Sequence, residues 1–213
     1  MHSVFERLNR RLAQPLGAGP RVMILAAALL AMAIYVLPLW NLTMFAPQYP
    51  EGLRLDIYSY KLEGGHNGQD VKEINILNHY IGMKDLVTED FTEFKWLPFV
   101  VGALAVLYLR AAVLGTLGQL VDVLVLNFYF SAFALWSFGY KLYSYGHNLA
   151  PTAAVKVPPF MPPMFGSRQL ANFEVYSYPE GASYALGCAT VLLCGALIVG
   201  WRQSIRAEGP GER

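Results

Sequence analysis

The sequence predicts an α-helical integral membrane protein with four transmembrane helices and a small mixed α/β outer cap built from two loops. Three observations predict it. Only 15% of the 213 residues are charged and 55% are hydrophobic, whereas soluble domains carry about 25% charged residues. Four apolar runs each approach the roughly 20 residues that a helix needs to cross a bilayer. Arginines cluster at the two ends of the chain, outside the apolar runs. A net charge of +1 leaves no basic excess for nucleic acid.

The expected spans are residues 22–40, 96–114, 120–140 and 182–201. No β-barrel alternation is visible, and only helices or closed barrels satisfy their backbone in lipid. Arg7, Arg10, Arg11 and Arg21 precede the first span, and Arg202, Arg206 and Arg213 follow the fourth. The positive-inside rule then makes residues 1–21 and 202–213 cytoplasmic. The stretch 41–95 has five basic and nine acidic residues, which suits the outer face. Trp40, Trp96 and Trp201 fall at expected interfaces, where amphipathic rings are favoured. Ala31-Met32-Ala33 resembles a signal-cleavage site, but the apolar run continues to Trp40, so a retained anchor is expected.

Spans two and three form a hairpin around Gly115-Thr116-Leu117-Gly118. Arg110 and Asp122 lie near its inner end, where a snorkelling arginine paired with an aspartate is expected. Asn127, Ser131 and Ser137 are candidates for bonds between helices.

Two outer segments remain, 41–95 and 141–181. In the first, Leu53, Leu55 and Ile57 alternate with polar residues, the period of a strand. Glu63 to Gly68 reads as a turn. Asp70 followed by Glu73 resembles a capping box, so a helix is expected over 71–81 with Gly82 as its stop. Pro98 is expected in the first turn of span two. In the second segment, four prolines between Pro158 and Pro163 argue for an extended loop, and Asn172 to Tyr178 for a strand. The two segments should pack as one cap that buries Leu55, Ile57, Ile74, Leu77, Phe165, Phe173 and Val175. Tyr-Ser-Tyr occurs at 58–60, 143–145 and 176–178, and Gly-His-Asn at 65–67 and 146–148. The unequal intervals do not make a solenoid repeat.

The polar minority offers one chemistry. Of four histidines, His66, His79 and His147 fall in outer segments. Met83, Met161 and Met164 join them, with Met44 near the membrane. Imidazole suits copper, and thioether sulfur selects Cu(I). These six His and Met positions are the candidate metal ligands. The alternative for each is ordinary: a hydrogen-bonded histidine, or a methionine packed under a loop. Cys188 and Cys194 both lie in span four and form neither a CxxC nor a CxxCH, so covalent haem attachment is not expected. No GxSxG, HExxH or P-loop occurs.

Four phrases carry a resemblance: Asn78-His79-Tyr80-Ile81-Gly82-Met83-Lys84, Tyr145-Gly146-His147-Asn148-Leu149, Pro158-Pro159-Phe160-Met161-Pro162-Pro163, and Gln169-Leu170-Ala171-Asn172-Phe173. Through them the chain, from about 45 to 185, resembles the small four-helix membrane proteins encoded beside nitrous oxide reductase and its copper-assembly genes. The resemblance implies a non-enzymatic accessory that assembles, anchors or feeds electrons to a periplasmic copper enzyme, with that enzyme or its assembly factors as partners. It supplies no catalytic residues. Asn78, Tyr80, Asn148 and Phe160 are the expected docking surface. The competing readings are an electron-transfer subunit of a quinol- or haem-linked respiratory complex, and a purely structural subunit. No histidine inside a span counts against b-type haem.

Overall fold

A computed structural model of the chain describes residues 4–170 and 173–207. The chain divides into two compact units, one of Met1–Ala33, Phe99–Ser131 and Ala185–Arg213, the other of Ile34–Pro98 and Ala132–Tyr184. The helices are α1 (Val4–Leu12), α2 (Ala18–Ala31), α3 (Gln69–Ile81), α4 (Glu93–Leu114), α5 (Leu117–His147) and α6 (Gly181–Ala207). The strands are β1 (Trp40–Ala46), β2 (Tyr49–Ile57), β3 (Leu62–Gly64), β4 (Gly166–Leu170) and β5 (Phe173–Pro179). Four helical stretches are long and apolar enough to cross a membrane: Ala18–Tyr35, Glu93–Leu114, Leu117–His147 and Gly181–Arg206.

The first unit packs small residues at helix contacts. Ala27, Ala28 and Ala31 of α2, Ala105, Ala111 and Ala112 of α4, and Ala189 and Ala196 of α6 are buried. Small side chains let backbones approach closely where lipid supplies no hydrophobic drive. One polar node ties three helices. The Tyr108 hydroxyl donates to Asn127 Oδ1 at 2.6 Å, and Asn127 Nδ2 donates to Thr190 Oγ1 at 3.0 Å. Asn127→Ala should therefore cost about 1 kcal/mol, read as a lowered unfolding midpoint in detergent, whereas Ser131→Ala should leave it unchanged. The α4–α5 turn is secured by Arg21, which donates to the carbonyls of Leu16 at 2.9 Å and Val113 at 3.1 Å. These include a carbonyl that the end of α4 leaves without a helical partner. Arg110 and Asp122 are both exposed and form no ion pair with each other, contrary to the expected pairing.

The second unit holds a five-stranded antiparallel sheet in the order β3-β2-β1-β5-β4. Strands from both interspan segments meet where β1 pairs with β5, from Trp40 opposite Pro179 to Phe45 opposite Glu174. One apolar cluster lies between α3 and the sheet. Leu53, Leu55 and Ile74 are buried, with Leu42, Met44, Tyr49, Val71, Leu77 and Leu86 packed on them. Val175 is also buried, Ile57, Leu77 and Phe173 are half-buried, and Phe165 is 69% exposed. Phe165 therefore leaves the expected buried set; it instead lies edge-on to the Tyr178 ring.

Several boundaries move. The first apolar helix begins at Ala18 and its last turn, Met32–Tyr35, is 3-10. Trp40 opens β1 rather than closing the span, and its indole N–H donates to Ser177 Oγ at 2.8 Å. Pro38 explains the break, since it disfavours helix in the residue before it and offers no N–H. Helix α5 runs to His147, 31 residues, or about 46 Å, because Leu142 and Tyr145 keep its buried face past Lys141. Pro98 lies five residues beyond Glu93, inside α4 rather than in its first turn. Asp70 does not cap α3. Gly68 takes that position at φ 85°, and Glu73 reaches across to the Tyr49 hydroxyl. Asn172, expected to open β5, lies outside the described residues.

Candidate functional site

The end of α3 forms one wall of a cleft. Gly82 follows Ile81 with φ 80°, and its N–H bonds the His79 carbonyl at 3.2 Å while Met83 N–H bonds the Asn78 carbonyl at 2.8 Å. That pair is a Schellman motif, which favours glycine at the left-handed position. The chain after α5 is laced to this turn. Ala150 N–H donates to the Gly82 carbonyl at 2.8 Å, and Val155 N–H to the Tyr80 carbonyl at 3.0 Å. Between these segments lies a cavity of about 450 Å³, lined by Gly82, Met83, Lys84, Ser144, Tyr145, Asn148, Leu149 and Ala150.

The lining offers an ammonium, a hydroxyl, an amide and a thioether. Asn148 Nδ2 donates to Ser144 Oγ at 2.9 Å. Lys84 Nζ lies 2.7 Å from Asp90 Oδ2, an ion pair. Nearby, Lys141 Nζ lies 3.3 Å from Glu93 Oε2, bonds the Asp90 carbonyl at 3.2 Å and sits 5.1 Å from the Phe91 ring centre. Ser137 Oγ donates to Glu93 Oε1 at 3.0 Å. Two of the three polar span residues, Asn127 and Ser137, thus form the cross-helix bonds expected of them.

The six candidate metal ligands come from the two ends of α3, the end of α5 and the Pro-rich loop. His66 lies in the turn before α3 and His79 in its last turn, separated by about 15 Å of helix at 1.5 Å per residue. His79 is exposed in the last turn. His147 ends α5, where Nδ1–H donates to the Tyr143 carbonyl at 3.0 Å and the ring stacks on Tyr143 at 3.7 Å. Met83 is in the cleft. The Met161 carbonyl accepts from Arg168 and the Met164 carbonyl from Ser177. Among the described residues no three His, Cys, Asp or Glu side chains gather as a metal ion would need.

The expected docking residues divide. Tyr80 and Asn148 are exposed, Phe160 is half-buried, and Asn78 is buried at 3% exposure, so Asn78 leaves the surface. Met83 and Asn148 are the two expected positions that the cleft brings together. The repeated phrases adopt unlike structures. Gly65-His66-Asn67 forms a turn with His66 and Asn67 at φ 50° and 57°, whereas Gly146 and His147 end a helix. No protein family, curated protein or solved structure matches the chain.

One pair was not legible from spacing. His66 Nδ1–H donates to Asp70 Oδ1 at 2.8 Å, while Asp70 Oδ2 accepts the Arg54 backbone N–H at 2.9 Å. The carboxylate is buried and the imidazole exposed. The hydrogen bond to Asp70, then its charge, raises the His66 pKa above the ordinary 6.5. A raised histidine pKa adds stability that is complete below pH 6.5 and lost as pH rises through the folded value. A proton NMR titration should therefore give His66 a midpoint above 6.5, returning toward it in Asp70→Asn. An unshifted midpoint in the parent protein would contradict the pairing.

Proposed function

We propose that this chain is a multi-pass protein of the bacterial inner membrane with both termini cytoplasmic. Its sheet-and-helix unit docks a periplasmic copper enzyme such as nitrous oxide reductase, or the factors that assemble it. The observation that carries the reading is the division of labour within α3. Val71, Ile74 and Leu77 pack on the sheet, while Ile76 and Tyr80 are 61% and 56% exposed with His79 beside them. An apolar and aromatic patch that the fold does not consume is the usual mark of a recognition surface. The resemblance in the sequence supplies the class of partner, and the four apolar helices support the membrane setting. Copper belongs in this reading to the partner.

The decisive experiment removes the gene from its host and measures copper content and activity of nitrous oxide reductase. Both should fall and be restored by the parent gene, but not by Ile76→Glu/Tyr80→Glu expressed at parental level. Full copper loading and activity in the deletion strain would overturn the proposal. Reporter fusions after Arg206 and near Gly68 test orientation separately; a periplasmic signal from the first would reject it.

A further inference from the structure

The segment before the first apolar helix carries an exposed apolar stripe. Helix α1 has the sequence Val-Phe-Glu-Arg-Leu-Asn-Arg-Arg-Leu, and none of its residues is buried. At 100° per residue, Val4, Leu8, Leu12 and Phe5 fall within about 100° of arc, and Arg7 and Arg10 lie opposite, with Arg11 on the flank. Val4 is 70% exposed, Phe5 78% and Leu8 40%. An apolar stripe of this size on a soluble surface needs an occupant.

The position of α1 says which occupant. The Leu12 carbonyl lies 3.2 Å from where a Cβ on Gly118 would stand, at the start of α5. Leu16 N–H bonds the Gly115 carbonyl at 2.8 Å, and Leu117 N–H the Gln14 carbonyl at 3.0 Å. The Arg11 guanidinium lies 5.6 Å from the Trp201 ring centre, near the end of α6. Gly17 N–H donates to Gln203 Oε1. So α1 is fastened where α2 begins, α4 ends, α5 begins and the apolar part of α6 ends. If those helices are spans, this is the level of the lipid headgroups. A short helix with an apolar stripe, an arginine-rich face and a neighbouring tryptophan has the composition of an interfacial helix.

We propose that α1 is a headgroup-binding anchor. It lies in the membrane plane with Val4, Phe5 and Leu8 in the acyl boundary, and Arg7 and Arg10 against anionic phospholipid. This rests on the reading of the four apolar helices as spans, and it is independent of any copper partner. Juxtamembrane arginines each contribute about fivefold to association with an anionic surface, so neutralising both should shift the docking equilibrium about 25-fold.

The test uses the full chain in nanodiscs, with Cys188 and Cys194 replaced by serine and Val4→Cys carrying a bimane label. In mixed phosphatidylglycerol–phosphatidylcholine discs the label should be shielded from acrylamide and quenched by 5-doxyl phospholipid. In phosphatidylcholine alone, or with Arg7→Gln/Arg10→Gln, shielding should weaken severalfold. Equal acrylamide access in both lipids, or shielding indifferent to the two arginines, overturns the proposal. Shielding that disappears when protein is diluted at constant lipid also overturns it, in favour of a second copy as occupant. A second label at Val106→Cys, on α4, reports insertion of the spans through a deep doxyl lipid. If that label is unquenched, the span reading fails; if it is quenched while the Val4 label is not, only the anchor fails.

Discussion

Replacing Gly146 with alanine is expected to cost about 3 kcal/mol of stability, an overpacking penalty at the upper end of its usual range. Viewed as a helix residue alone, the change should help, since alanine is favoured over glycine by about 1 kcal/mol within a helix. The surroundings reverse the sign. A Cβ on Gly146 would stand 1.9 Å from the Phe160 carbonyl oxygen and 3.1 Å from Pro162 Cδ. The Phe160 N–H bonds the Gly146 carbonyl at 3.0 Å, so the two backbones are already in contact. The loop cannot easily retreat, because Pro158, Pro159, Pro162 and Pro163 fix four of its φ angles. Thermal unfolding in detergent and the yield of monodisperse protein read the effect. A variant as stable as the parent would show that the Pro-rich segment does not seat on the end of α5.

Gly82→Ala should cost a similar amount, about 3 kcal/mol, from two sources. The left-handed backbone costs a residue with a Cβ roughly 1–2 kcal/mol. The added Cβ would also stand 2.9 Å from both the Ala150 oxygen and the Ala153 Cβ, a crowding worth about 1–3 kcal/mol. Gly82→Asn separates them, since asparagine tolerates the left-handed region but still brings a Cβ. If the alanine and asparagine variants are equally unstable, crowding dominates. If asparagine recovers about half the loss, conformation carries the rest. In both variants the methyl resonance of Met83, the next residue and part of the cleft wall, should shift.

Much of the fold was legible, for physical reasons that differ by element. A 20-residue apolar run admits few alternatives, so the four long helices were plain. The helix of 71–81 was plain because Val71, Ile74 and Leu77 recur on one face and Gly82 follows. Strand β1 was hidden, because Trp40 to Ala46 continue the hydropathy of the preceding helix. Pro38 was the one available signal of the break. The Asp70–Glu73 spacing misled in detail, because a free glycine conformation at Gly68 and an unpaired N–H on Arg54 drew the carboxylate elsewhere. The candidate site was the least legible part. Met83 and Asn148 meet only because segments 82–84 and 144–150 are laced by backbone hydrogen bonds, and no local pattern records those. The histidines lay in the expected segments, yet residence in the same segment carried no information about distance.

The pairing of β1 with β5 sets a timetable for biosynthesis. Strands β1, β2 and β3 are contiguous in sequence and can associate as soon as residue 64 has emerged. Phe173, which opens β5, follows Ala46 by 127 positions, with α3, α4 and α5 between them. At about 5–20 residues per second this is a delay of roughly 6–25 s. Throughout it, the edge of β1 that will receive β5 offers unpaired N–H and carbonyl groups, the template on which strands of separate chains join. Three of the four apolar helices, two of them within this interval, must be made before that edge is closed. Slowing translation between the emergence of Ala46 and that of Pro179 from the ribosome should therefore lengthen the exposure and raise the fraction of chains lost to aggregation.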